Sequence, residues 1–440
     1  MATVNVAVLG AGTVGSQVIR LIQEQANDLT ARANTDLTVN AVVVRDVEAK
    51  RDVQIDSALL TTDANAAIDG ADLVVELIGG IEPARTFVLR ALEQGKTVVT
   101  GNKALLAAHG PELHDVAAAS GADLYYEAAV AGAVPVVYGL RESLAGDKIV
   151  RVLGIVNGTT NFILDSMAST GASYADALAE AQRLGFAEAD PTADVEGLDA
   201  AAKCAILASL AFHTRVSMDD VAVEGISGVT AEDIAEAEEN GNVIKLLAIA
   251  ERVTQDDGTE AVSVRVHPTL VPRDNPLASV NGAFNAVVVD GESAGRLMFY
   301  GQGAGGAPTA SAVLSDVVAA ASHIANGGSA PRELVYANLP ILDASEAVTR
   351  YQVQVDVDDR AGTLAEVAGI FAAHDVSIKS VLQRGNEDSE GGALADGRVT
   401  SLLILTHRAT EGALRQVVED LEAADSVQEV TSVLRKEVGA

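Results

Sequence analysis

Lys203 has the setting that most suggests chemistry. It stands in Ala200-Ala201-Ala202-Lys203-Cys204-Ala205-Ile206-Leu207-Ala208-Ser209-Leu210, with Asp199 as the last charge before it. A helix that is apolar all round is buried, and lysine is almost never fully buried unless paired. Asp199 lies four residues earlier, on the same helical face. A lysine held this way suits proton transfer, its pKa set by desolvation against a carboxylate; the alternative is a buried structural pair. Lys103, in Thr100-Gly101-Asn102-Lys103-Ala104-Leu105-Leu106, closes a strand and opens a helix, where the helix dipole disfavours a cation. It therefore reads as a cleft residue rather than a solvated lysine. Upstream of Lys203, Gly185-Phe186-Ala187-Glu188-Ala189-Asp190-Pro191-Thr192-Ala193-Asp194 gathers three carboxylates. By composition alone this is a solvated acidic loop. Beside a buried lysine it is suited to hold the ammonium group of an amino-acid substrate.

A second constellation is Gly10-Ala11-Gly12-Thr13-Val14-Gly15, which follows a strand and opens a helix. In this context the pattern is a dinucleotide fingerprint. Gly10 permits the turn, Gly12 lets backbone approach a pyrophosphate, and Gly15 lets helix and strand pack closely. Thr13 and Val14 begin the helix whose free N–H groups face the anion. The second strand ends in Arg45-Asp46. A guanidinium there accommodates the 2′-phosphate of NADP, where NAD enzymes place a carboxylate; NAD and a plain Arg45–Asp46 surface pair remain the alternatives. Cys204 adjoins Lys203 without electropositive surroundings and reads as core. The seven histidines are scattered without metal-ligand spacing, which argues against zinc.

These groups need a scaffold, and the pattern of the chain supplies one. Strands at 3–9, 37–44, 73–78 and 97–100 alternate with helices at 14–25 and 86–94, which means a parallel α/β sheet binding its ligand at the carboxyl ends of its strands. From about residue 135 the pattern turns α+β: a strand at 149–156, helices at 159–168, 174–184 and 198–212, strands at 262–270 and 286–289. A glycine-rich segment, 301–306, opens a helix at 308–325 that is expected to return to the nucleotide domain. Residues 327–348 read as a linker. The tail runs strand 351–357, helix 363–373, strands 376–382 and 399–405, helix 411–423, strand 427–434, the βαββαβ order of a ferredoxin-like unit; the acidic, glycine-rich stretch 385–397 reads as a loop within it. The expected division is 1–134 (completed by 303–326), 135–302, 327–348 and 349–440.

The totals agree with this scheme. At 440 residues the chain exceeds a single core. A net charge of −32 repels nucleic acid and also an anionic cofactor, so a nucleotide site needs local dipoles and a local cation. One cysteine fits a reducing cytoplasm. The opening Met-Ala-Thr-Val carries no basic export signal, and uncharged stretches are too short to span a bilayer.

Together, Gly10–Gly15, Val74–Gly80, Thr100–Leu106, Tyr126–Pro135, Asn157–Asn161 and above all Leu184–Lys203 resemble homoserine dehydrogenase across nearly the whole chain. The tail, with Asp358-Asp359-Arg360-Ala361-Gly362-Thr363-Leu364, resembles an ACT domain whose usual proline is Ala361 here. The resemblance implies a Rossmann-type nucleotide domain, an α+β substrate and dimerisation domain, and a ferredoxin-like regulatory domain. It implies reversible NAD(P)H-dependent reduction of L-aspartate 4-semialdehyde to L-homoserine, on the way to threonine, methionine and isoleucine. Lys203 would be the proton donor, Lys103 would polarise substrate beside the cofactor, and Asp199 would bind or orient substrate. Glu188, Asp194, Gly158 and Thr159 would contact substrate; Gly79, Thr100 and Gly303 would join the fingerprint around the cofactor. A sodium ion would be held by Glu127, Val130, Gly132 and Val134. Threonine would bind the ACT domain and inhibit, and the chain would form a homo-oligomer, dimer or tetramer. Two rivals stand beside this reading. A cysteine-dependent semialdehyde dehydrogenase would need Cys204 at the cofactor, and a non-catalytic amino-acid sensor would have no use for the lysines and carboxylates.

Overall fold

The computed structural model describes residues 3–51, 53–384 and 399–437; the expected loop at 385–397 lies outside them. The strand Thr3–Leu9 has Asp36–Val43 and then Leu60–Thr61 on one side, and Leu73–Glu76, Thr97–Thr100 and Leu124–Tyr125 on the other, all parallel. Strand order therefore reverses at Thr3–Leu9, and the crevice at that switch point is where such sheets bind ligands. Val6, Ala7, Val8 and Leu9 are fully buried, as a parallel sheet covered on both faces requires. One of the covering elements comes from far along the chain. The helix Gly306–Asn326 puts Ala310, Val313 and Val317 into one core with Val4, Val6 and Val18. Gly306 stands so close to the first helix, Thr13–Glu24, that a Cβ would lie 2.9 Å from the Thr13 carbonyl oxygen. Two helices thus begin side by side at the cleft.

The rest of the chain forms one long sheet in two parts. The first part orders Gly295–Gln302, Phe284–Gly291, Ile149–Ile155, Asn242–Thr254 and Glu260–Pro272, antiparallel throughout. Two of these strands, Asn242–Thr254 and Gly295–Gln302, were not expected from sequence. The first has an unbroken apolar run, Leu246 to Ala250, and is buried along most of its length, so it shows no alternation to read. Helices Gly158–Thr170, Tyr174–Leu184 and Leu198–Phe212 form where their apolar spacing predicts; the last starts from a left-handed Gly197 and stops at a left-handed His213.

The second part is the tail, with strands ordered Val427–Lys436, Val348–Asp358, Val399–Thr406 and Ile378–Arg384, and helices Thr363–Ala373 and Glu411–Glu422. Its last strand pairs in parallel with Glu260–Pro272 through Thr269 and Leu270, so the two parts are continuous. The segment 327–348 is not the free tether its composition suggests. Leu342 and Pro340 bond to Val262 in both directions at 2.8 and 2.9 Å, and Leu339 donates to the Thr214 hydroxyl at 2.9 Å, so it lies strapped along the preceding layer. No helix among the described residues is long and apolar enough to cross a membrane.

Candidate active site

The Lys203 ammonium is enclosed, with the residue 7% exposed. It donates to the Asp199 carboxylate at 2.7 Å and to the Val156 carbonyl at 2.6 Å. Val156 follows the strand Ile149–Ile155, so the sheet end itself fixes the amine. Asp199 has a second cation: its other oxygen meets the Lys103 ammonium at 2.5 Å, across from the nucleotide domain. Lys103 is only half-covered, and Lys203 is not. Burial alone would raise the Asp199 carboxyl; the charges of Lys203 and Lys103 outweigh it and hold the group well below the carboxylate range. Burial lowers the Lys203 ammonium, opposed by Asp199 and assisted by Lys103. The cluster is a buried ammonium and a more exposed one, spaced by one ionised carboxylate.

Asn157 ties the acidic segment to this cluster. Its side-chain amide donates to Asp194 at 2.7 Å and to Asp199 at 2.9 Å, while its oxygen caps the helix Gly158–Thr170 at the Thr160 amide. Sequence reading did not single it out, although asparagine before a helical run is a cap signal. Gly158 follows directly, where a Cβ would stand 2.6 Å from the Ala283 carbonyl oxygen. The Thr159 hydroxyl donates to Phe186 at 2.7 Å, so it anchors the acidic segment. Glu188 is exposed, and among the described residues its carboxylate has no partner. Asp194 opens out of a short helix, Thr192–Val195, within a segment read as irregular.

At the cofactor end, Gly10 takes φ +103° and donates to Val43 at 2.9 Å; a Cβ on it would strike the Leu77 carbonyl. Gly15 sits against the Gly10 carbonyl, where a Cβ has no room, whereas nothing lies within 4 Å of the place a Cβ on Gly12 would occupy. Gly12 thus faces open space, as a phosphate-approach position should. Thr13 and Val14 form the first turn beneath it. Arg45 is exposed, and among the described residues it makes no ion pair with Asp46, whose carboxylate accepts from the Glu48 amide. Glu76, unremarked in sequence, is fully buried; it accepts from the Ile78 and Gly79 amides and from the Thr100 hydroxyl at 2.6 Å. That carboxylate ends the strand two residues earlier than expected and shapes the Gly79 turn, and it already engages the Thr100 side chain. A charge inside an apolar strand was the available signal.

Gly303 is pressed onto the Asn285 amide with no space for a side chain, and a Cβ on Gly132 would lie 2.4 Å from the Gly303 carbonyl oxygen. Asn285 in turn donates to the Val156 carbonyl at 3.0 Å, the same oxygen that holds Lys203. Beside Gly132, Ala131 also takes a left-handed conformation, so the loop through Val130 and Val134 turns back sharply. Glu127 accepts from the Val137 and Tyr138 amides at 3.1 and 2.7 Å, and its own amide donates to Asp316. Burial pushes both carboxyls up to about 7. Cys204 is buried with its thiol pushed up to about 12 by desolvation, unsuited to nucleophilic attack. Among the described residues no cluster of three or more His, Cys, Asp or Glu could hold a metal ion.

Comparison with known proteins agrees with this geometry. Three family models match: "Homoserine dehydrogenase, NAD binding domain" over residues 10–127, "Homoserine dehydrogenase" over 135–318 and "ACT domain" over 351–426. The homoserine dehydrogenase of Corynebacterium glutamicum is 56% identical over 436 residues, covering 99% of this chain and 96% of that one. That of Mycobacterium tuberculosis is 55% identical, covering 99% and 98%. The crystal structure of a homoserine dehydrogenase from Thiobacillus denitrificans superposes with a TM-score of 0.89 at 39% identity over 99% of each chain. A hyperthermophilic archaeal homoserine dehydrogenase in complex with NADPH superposes at 0.60, 27% identical, over 72% of this chain and 97% of that one.

Proposed function

Because the chain belongs to the homoserine dehydrogenase family of NAD(P)-dependent oxidoreductases, we propose that its cleft interconverts L-aspartate 4-semialdehyde and L-homoserine, within threonine, methionine and isoleucine biosynthesis. The bound nicotinamide cofactor supplies or accepts the hydride. Lys203 gives its proton to the carbonyl oxygen as that oxygen gains charge, and in the reverse direction removes it from the alcohol. Burial shifts Lys203 toward the range where proton transfer is effective. Asp199 keeps both lysines in place, and Lys103 polarises the carbonyl from the cofactor side. Asp194 and Glu188 bind the substrate ammonium, with Gly158 and Thr159 shaping the floor. The observation that carries this reading is the single ionised carboxylate clamped between Lys103 and Lys203. Lys203→Ala is expected to lower NADPH oxidation with aspartate semialdehyde roughly 100- to 10,000-fold, with NADPH binding retained by fluorescence. Near-normal turnover would overturn it.

Finer assignments follow on the same reading. NADP is preferred over NAD because Arg45 is free of Asp46 at the ribose end, and the adjoining N-termini of Thr13–Glu24 and Gly306–Asn326 offset the acidity of the chain. A sodium ion bound by Glu127 and the carbonyls of Val130, Gly132 and Val134 fits a site of hard oxygen donors in which burial raises both neighbouring carboxyls. Threonine binds the ACT domain in a cavity of about 240 Å³ beside Asp358–Leu364, where the buried Thr363 hydroxyl has no hydrogen-bond partner. The enzyme works in the cytoplasm as a homo-oligomer.

A further inference from the structure

A second cavity, of about 410 Å³, lies away from this cleft. It falls within the ~300–1,000 Å³ range of small-molecule sites. Its walls are the helix Lys103–Ser120, the helix Leu198–Phe212, and the segment around Leu140, and the strap 332–336 borders it. Leu106, Leu140, Ile206 and Leu210 make it apolar. Buried Gly110 also lines it, with nothing within 4 Å of the place a Cβ would occupy. Neither Lys103, Asp199 nor Lys203 lines it. Leu106 and Ile206 stand three residues beyond the two lysines, so cavity and cleft share helices but not side chains.

One wall carries an unusual charge. The Arg141 side chain is only 8% exposed, its sole ion pair among the described residues is a 3.7 Å contact with Glu142, and its Nε has no hydrogen-bond partner. Beyond that it has the Tyr126 hydroxyl as a hydrogen-bond partner, Glu127 and Asp316 within electrostatic reach, and aromatic rings around it: its Cζ lies 5.4 Å from the centre of Tyr138, 5.8 Å from Tyr126 and 6.0 Å from Tyr125. Burying a guanidinium without a close carboxylate is costly. Of the other two arginines that line it, Arg215 is already engaged by Asp115 and Glu333 and Arg332 is exposed on the strap, and burial keeps His114 below its ordinary pKa. Arg141 is thus the buried cation left for an incoming anion, and the apolar walls require that anion to carry a hydrocarbon body.

We propose that this cavity is a second small-molecule site, taking an organic carboxylate with an apolar body whose charge pairs with Arg141. Calorimetric titration of the full chain, saturated with NADPH and homoserine so that no turnover occurs, tests it with phenylacetate and with 2-phenylethanol, which keeps the ring but not the charge. Phenylacetate is expected to bind once per chain, at least tenfold more tightly than the alcohol. Arg141→Met, which removes charge while keeping bulk, and Ala107→Leu, which fills the cavity from the helix wall, should each weaken it at least tenfold. NADPH affinity, read by fluorescence, should be unchanged in both. Should Arg141→Met fail to fold, Ala107→Leu carries the test alone. The proposal is overturned by absent saturable binding, by equal affinity for acid and alcohol, by binding that appears only when homoserine is left out, or by affinity that survives the substitutions.

Discussion

Asp199 does more than pair with one lysine. Its charge raises the Lys203 pKa against the desolvation that lowers it, so neutralising it has a signed consequence. In Asp199→Asn the ammonium loses its stabilising partner and gives up its proton at lower pH. The reductive reaction needs the protonated form, so the alkaline limb of its kcat profile should move to lower pH; an unmoved limb would remove Asp199 from control of the donor. The pairing of Lys203 with Asp199 was legible because spacing and an uncharged surround announce it. Burial of lysine alone would not have been enough. Lys245 is also buried, donates to Asn161 at 3.0 Å and Val280 at 2.7 Å, and is shifted down to about 8 by desolvation, yet no carboxylate among the described residues accepts a hydrogen bond from it. Val156, Asn157 and Asn285 were opaque, since a carbonyl has no side-chain signature and an asparagine's partners depend on which strands meet.

At the level of elements, the reversed loop through Ala131 and Gly132 joins the two halves of the cleft, touching Gly303 on one side and following Glu127 on the other. Glu127 and Asp316 have folded-state pKa values near 7, above the ordinary carboxylate range. Their folded forms hold protons that the unfolded chain has released, a contribution present in acid and lost as pH rises through 7. In choline chloride, Tm should therefore fall between pH 5.5 and 8.5. In sodium chloride the proposed ion substitutes for the protons, so Tm at pH 8.5 should be higher, with no difference at pH 5.5. An equal fall in both salts would exclude a sodium site at Glu127. The element order itself was largely readable. Helices with one apolar face and strands closed by glycine announce themselves, whereas Asn242–Thr254, covered on both faces and mixing helix-favouring with β-branched residues, does not.

Across the whole molecule, the ACT tail is locked to the preceding sheet by buried charge. Arg151 takes both oxygens of Glu437 at 2.6 Å and also meets Glu251, which in turn pairs with Arg265. Arg435, held within the tail by Glu411, joins Glu224 across the same seam. Ending the chain at residue 348 should abolish the proposed threonine response. It also strips the edge of Glu260–Pro272 and takes Glu437 from Arg151, so some activity should survive with reduced thermal stability. Glu437→Gln in the full chain isolates the clamp and should lower Tm by about 2–5 °C; an unchanged Tm would show that the seam holds without it. Domain order was visible in sequence because each part has its own periodicity, but this seam was not, since its partners lie up to 286 residues apart. The helix Gly306–Asn326 carries the same long reach into biosynthesis. As the polypeptide leaves the ribosome, the apolar side of the first sheet waits for that helix, so the nucleotide-binding half stays unfinished until roughly three quarters of the protein has been made. A nascent chain stalled before residue 306 would expose Val4, Val6 and Val18, and would depend on a chaperone to stay out of aggregates.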